Sequence, residues 1–133
     1  MDRFVKRFIF MSITYLLAAS IIGVMMLGNP KYLGLKFVHS HLMLLGWVSM
    51  MIYGVGYHIL PRFAGKALKS KTLAEIQFWL ANAGLIGMLG FYTSAYYTGT
   101  GAYMRVSALF GAIEVASIAL FVYNMMTSLY GKS

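Results

Sequence analysis

Residues 37–60, FVHSHLMLLGWVSMMIYGVGYHIL, run for 24 positions without a Lys, Arg, Asp or Glu. They hold all three histidines of the chain, His39, His41 and His58. About 20 apolar residues at roughly 1.5 Å rise each carry a helix across the hydrocarbon of a bilayer. The stretch therefore reads as a transmembrane helix. A histidine inside such a helix is costly unless something occupies it, so these three mark a functional site. The rest of the chain has to supply the walls around this helix.

Three more runs, 8–27, 76–97 and 106–130, are uncharged or nearly so, and each is long enough to span. Nearly every position in them is apolar, so periodicity does not separate helix from strand; length favours helix. The expected fold is all-α and integral to the membrane. It is a single transmembrane domain over residues 1–133, a four-helix bundle with short loops. Composition agrees, with 60% hydrophobic and only 11% charged residues, against about a quarter charged in a soluble domain. Basic residues ahead of 8–27 resemble the start of a signal peptide. The run is too long for a typical h-region, however, and no small-residue cleavage site follows, so a retained first span is expected. There is no cysteine, which excludes disulfides, iron–sulfur clusters and thiolate ligation.

The breaks between the runs are explicit. Asn29-Pro30 is a turn signal after the first. Pro61 is expected to close the second, because it lacks an N–H and its ring obstructs a continuing helix. Gly99-Thr100-Gly101 joins the third and fourth. The longest connector, 61–74, carries Arg62, Lys66, Lys69 and Lys71. A net charge of +8 in a soluble protein would suggest nucleic acid. Here the basic residues fall between apolar runs, where they report topology, and no nucleic-acid partner is expected. With the N-terminus inside, Arg3, Lys6, Arg7, Arg62, Lys66, Lys69, Lys71 and Lys132 lie on the inner side, eight against Lys31, Lys36 and Arg105 on the outer. Both termini are thus expected in the cytoplasm of a multi-pass protein of the cell inner (plasma) membrane. His39 and His41 then fall near the outer face and His58 near the inner one.

Small and polar residues add detail. Ala19 and Gly23 have small-xxx-small spacing, and Gly84, Gly87 and Gly90 offer a second surface for close helix approach. Glu114 and Asn82 are polar at depth. A carboxyl there is neutral or paired, as a proton relay or as a hydrogen bond to a neighbouring helix. The 11 methionines are mostly flexible filler.

At about 100° per residue, Met43, Gly46, Met50, Tyr53 and Tyr57 share the face of His39. A glycine two turns below a histidine leaves room for a flat ring against the backbone. His41 lies on an aliphatic face with Leu45, Val48, Ile52 and Ile59. His58 shares a third face with Ser40, Trp47, Met51 and Gly54, beside Arg62, as an interfacial anchor would. Residues i and i+2 point to nearly opposite sides of a helix, so His39 and His41 cannot share one ion without unwinding.

The run His39-Ser40-His41-Leu42, then Gly46-Trp47, then Tyr57-His58-Ile59-Leu60-Pro61, resembles the second transmembrane helix of haem–copper oxidase subunit I. The likeness is to the cbb3-type oxidase and nitric oxide reductase branch, as a short four-helix stand-alone relative. There the first histidine ligates low-spin haem b near the outer side, and the resemblance implies that role for His39. His41 matches a variable position, to which no ligand role transfers. The likeness covers the central motif well and the first three runs loosely. Subunit I has twelve or more spans. The helices that carry its copper and high-spin haem ligands have no counterpart among these four, so oxygen or nitric oxide reduction by this chain alone is not implied.

The resemblance thus implies a b-type haem protein acting in electron transfer or in gas or redox sensing, with a redox partner or a diatomic gas as its counterpart. His39 is the expected ligand, with Met43 and Gly46 beside it and Lys36 and Arg105 for the propionates. His39, His41 and His58 are the candidate metal ligands. The alternatives are a non-haem membrane interaction or assembly subunit and a metal-binding membrane module. His39 and His58 are 19 residues apart, roughly 28 Å along a helix, so they cannot meet at one iron. A bis-histidine site therefore needs a second copy of the helix, as a two-fold homodimer supplies. The other routes are Met104 as second ligand or a five-coordinate haem open to a gas.

Overall fold

Lipid offers no partner to a peptide N–H or C=O, so a long apolar run satisfies its backbone within a helix. In the computed structural model, which describes residues 1–131, four long helices form. They are α1 (Arg3–Gly28), α2 (Pro30–Phe63), α3 (Lys71–Thr98) and α4 (Gly101–Tyr130). Each is long and apolar enough to cross a membrane. They start before the apolar runs, because polar first turns such as Arg3–Lys6–Arg7 are helical without being hydrophobic. Lys132, one of the basic residues counted for orientation, lies outside the described residues.

The first two helices pack along one another as a hairpin, as do the last two. An aromatic seam joins the hairpins. Phe8 of α1 meets Phe78 of α3 at 5.1 Å, edge to face. Phe121 of α4 lies 4.7 Å from Tyr53 and 5.2 Å from Tyr57 of α2. Nearer the opposite end, Phe37 stacks on Tyr92 at 4.0 Å. Such pairs contribute about 0.5–1.5 kcal/mol each beyond their buried area. Phe10, Ile13, Leu17 and Ile21 of α1 face outward with other large apolar side chains.

α2 is not uniform. A 3₁₀ stretch, Pro30–Leu35, leads into α-helix at Lys36–His41. A π stretch, Leu42–Ser49, follows, and α-helix returns at Met50–Phe63. The wide turn has identifiable partners. Ser49 Oγ donates to Leu44 O, five residues back, at 2.9 Å. Ser12 Oγ of α1 donates to Trp47 O at 2.9 Å, occupying a carbonyl inside the π stretch. π turns are rare and appear often at functional sites.

Pro61 does not close α2, which runs two residues further with Pro61 inside it. The stop is set at Gly65, whose φ of +64° suits a residue without Cβ. Lys66 N donates to Pro61 O and Gly65 N to Arg62 O, the paired bonds of a Schellman ending. Pro61 is tolerated because it removes one backbone bond in the final turns and leaves that ending intact. α3 ends similarly at Gly99, φ +70°.

The α2–α3 connection is tied to the end of α4. Asn124 Oδ1 accepts from Ser70 N at 3.1 Å, and its Nδ2 donates to Ser70 O at 2.8 Å. Ser70 Oγ meanwhile caps α3 by accepting from Leu73 N. Lys66 Nζ donates to Leu129 O and Gly131 O, each at 3.0 Å, a cation at a helix C-terminus.

Candidate functional site

His39 is partly exposed and turned toward α1. Its Nδ1 lies 2.9 Å from Ala19 O. A carbonyl only accepts, so Nδ1 carries the proton and Nε2 keeps its lone pair. Gly23, one turn on from Ala19, lies under the ring. A Cβ there would come within 3.1 Å of His39 Cε1. The small-xxx-small pair on α1 is therefore the seat of an imidazole.

The other two histidines are held separately. His41 Nδ1 donates to Phe37 O of its own helix at 2.9 Å. Its ring lies 3.9 Å from that of Phe37. His58 differs, since Arg62 Nη1 donates to its Nε2 at 2.8 Å and takes up that lone pair. Among the described residues, no group of three or more His, Asp or Glu side chains is placed to hold a metal ion.

The neighbours expected around His39 divide. Met43 is partly buried and packs against the core. Gly46 is buried, and the room it leaves is filled by Tyr15 of α1, whose Cβ and Cγ lie 2.8 and 2.9 Å from where a Gly46 Cβ would stand. The slot expected there for a flat ring is occupied by this phenol. Lys36 and Arg105 are exposed and belong to neither of the ion pairs among the described residues, Arg7–Glu75 and Lys71–Asp2. Met104 is exposed too.

A second polar group occupies the interior. Tyr15 Oη donates to Asn82 Oδ1 at 2.6 Å, and Asn82 Nδ2 donates to Phe78 O at 2.7 Å. Glu114 of α4 is 2% exposed and packs on the backbone side of Gly84. Neither of its carboxyl oxygens has a hydrogen-bond partner. Gln77 of α3 is fully buried with both amide atoms unbonded, and Tyr57 Oη is unbonded as well.

Tyr15, Ser12 and Gln77 did not emerge from the chain alone as interior groups. A signal for the first two was present. Phe4, Phe8, Ser12, Tyr15, Ala19 and Gly23 recur at three- and four-residue spacing, the stripe of one helix face. No family model, curated protein or solved structure matches the chain.

Proposed function

We propose that this chain is a multi-pass membrane protein that binds b-type haem through His39 Nε2 and serves in electron transfer or in sensing a diatomic gas or redox state. The carrying observation is the His39 Nδ1–Ala19 O bond of 2.9 Å. A backbone carbonyl on the far nitrogen is how a ligating histidine is held in tautomer and orientation. The donor chemistry thus fits an axial ligand, and the resemblance of the His39–Pro61 motif to subunit I of haem–copper oxidases points the same way. His58, whose Nε2 is already engaged by Arg62, serves as an anchor at the loop end.

When bound, haem supplies a one-electron couple tuned by its axial ligands and surroundings. The chain's own part is to orient the imidazole, through Ala19 and Gly23. It also supplies cations at the same end, Lys36 and Arg105. With Tyr15 filling the space at Gly46, His39 would hold the haem from outside the α1–α2 hairpin, and a second copy of the chain would supply the second ligand. Both termini face the cytoplasm of the inner (plasma) membrane in this arrangement, by the distribution of basic residues.

The test is the absorption spectrum of the purified protein, together with its mass and haem stoichiometry. A Soret band that sharpens on reduction, with one or two haems per dimer, supports the proposal. A colourless protein after expression with haem supplied overturns it and leaves an interaction or assembly subunit. A stable haem-loaded monomer removes the dimer alone.

A further inference from the structure

We propose that Glu114 is a proton-binding site reached from the α2–α3 loop end, through Tyr57 and Tyr53. It is independent of haem and would hold for a colourless protein. Three buried side chains, Glu114, Gln77 and Tyr57, have unbonded polar atoms, while every other buried side-chain polar atom among the described residues is paired or touches solvent. Buried polar groups are otherwise satisfied, so exceptions point to internal water, an ion or a transferable proton.

These groups form a path. Tyr57 lines a cavity of about 220 Å³ at the loop end, together with Asp2, His58, Arg62, Lys66 and Lys71. One helical turn inward along α2, Tyr53 packs on the same Phe121 ring as Tyr57, and Glu114 lies two turns from Phe121 along the same face of α4. Gln77 borders the path from α3, where its backbone carbonyl accepts from Ser117 Oγ, one turn of α4 from Glu114. Beyond Glu114 the path closes, because Tyr15 Oη is committed to Asn82.

The groups that face Glu114 contain no cation. Glu114 belongs to neither ion pair among the described residues; α1 offers Tyr15, bonded to Asn82 two residues from Gly84, and α2 offers Tyr53, packed on Phe121 of α4. α3 presents the backbone at Gly84. A lone carboxylate in this setting is expensive, so the acid exchanges a proton with the cavity and holds it between exchanges. His58 and Asp2 at the mouth are the donors and acceptors that meet water first. A metal cation is disfavoured, since the site gathers one carboxyl and neutral groups only.

Infrared spectroscopy of the full chain in lipid nanodiscs tests this directly. The chain has only three acidic side chains. The other two, Asp2 and Glu75, are 42% and 46% exposed and paired with Lys71 and Arg7. Wild type should show the carbonyl stretch of one protonated carboxylic acid that shifts in deuterium oxide and is missing in Glu114→Gln. Should that variant fail to accumulate, Glu114→Asp should move the same band. Tyr57→Phe should slow its deuterium exchange by about tenfold, the scale of one lost hydrogen-bonding link, while Tyr15→Phe leaves the rate unchanged. No such band in wild type, a band that survives Glu114→Gln, a response to sodium in place of pH, or slowing only in Tyr15→Phe would each overturn the proposal.

Discussion

The imidazole of His39 is tied through Nδ1 to the carbonyl of Ala19, 20 residues earlier and on the neighbouring helix, at 2.9 Å. The bond crosses the first hairpin and leaves the opposite nitrogen of the ring free. Its consequences can be tested one residue at a time.

Replacing His39 by Ala should abolish the low-spin haem spectrum, and His41→Ala should weaken it less. Gly23 gives the finer test. Gly23→Ala puts a methyl 3.1 Å from His39 Cε1 and should alter the spectrum modestly, whereas Gly23→Val should displace the ring and lose most of the haem. Full haem in His39→Ala would remove the assignment.

Arg105 is exposed near the start of α4, at the end of the bundle to which His39 belongs. Arg matches a carboxylate with a forked pair of donors, which suits a haem propionate better than Lys36 does. Arg105→Ala should therefore lower haem retention or shift the midpoint potential, read by titration of the purified protein. An unchanged value for both would take Arg105 out of the site.

Gly84 of α3 should resist replacement, because its nearest neighbour is backbone and not a side chain that can turn aside. A Cβ there would stand 2.8 Å from the backbone nitrogen of Glu114, so the two helices must part to admit one. Gly84→Val should cost about 1–3 kcal/mol, the usual range for overpacking, seen as a lower unfolding midpoint in mixed micelles. Gly90, with open space at its Cβ position, should accept Ala with little change.

Topology can be read with single cysteines, since the chain has none of its own. Ala67 is exposed and its side chain carries no bond, which makes it a better site than the capping Ser70. In intact cells Ala67→Cys should be protected from a reagent that cannot cross the membrane, and Thr100→Cys should be labelled. The reverse pattern would invert the orientation.

Four helices were legible from length and charge alone, because a bilayer leaves an apolar run few other ways to satisfy its backbone. Local details were not. Pro61 looked like the end of α2, yet the chain continues until Gly65, where the positive φ and the paired carbonyl bonds coincide. The helical-wheel face of His39 left Gly46 as a gap for a flat ring, but what fills that gap is Tyr15, a partner that no wheel for a single helix can name. Glu114 and Asn82 stood out in the sequence as polar residues at depth. Gln77 did not, because it stands at the start of the run 76–97, two residues after Glu75.

The π stretch Leu42–Ser49 separates two chemistries carried on one rod: His39 on one side, Tyr53 and Tyr57 on the other. A π turn contains more residues than an α turn, so it sets the azimuth of one end against the other. Tightening it to α winding would swivel His39 about the helix axis relative to the tyrosines and lengthen the rod, because an α-helix rises further per residue than a π-helix. Ser12, through its bond to Trp47 O, ties the π stretch to α1.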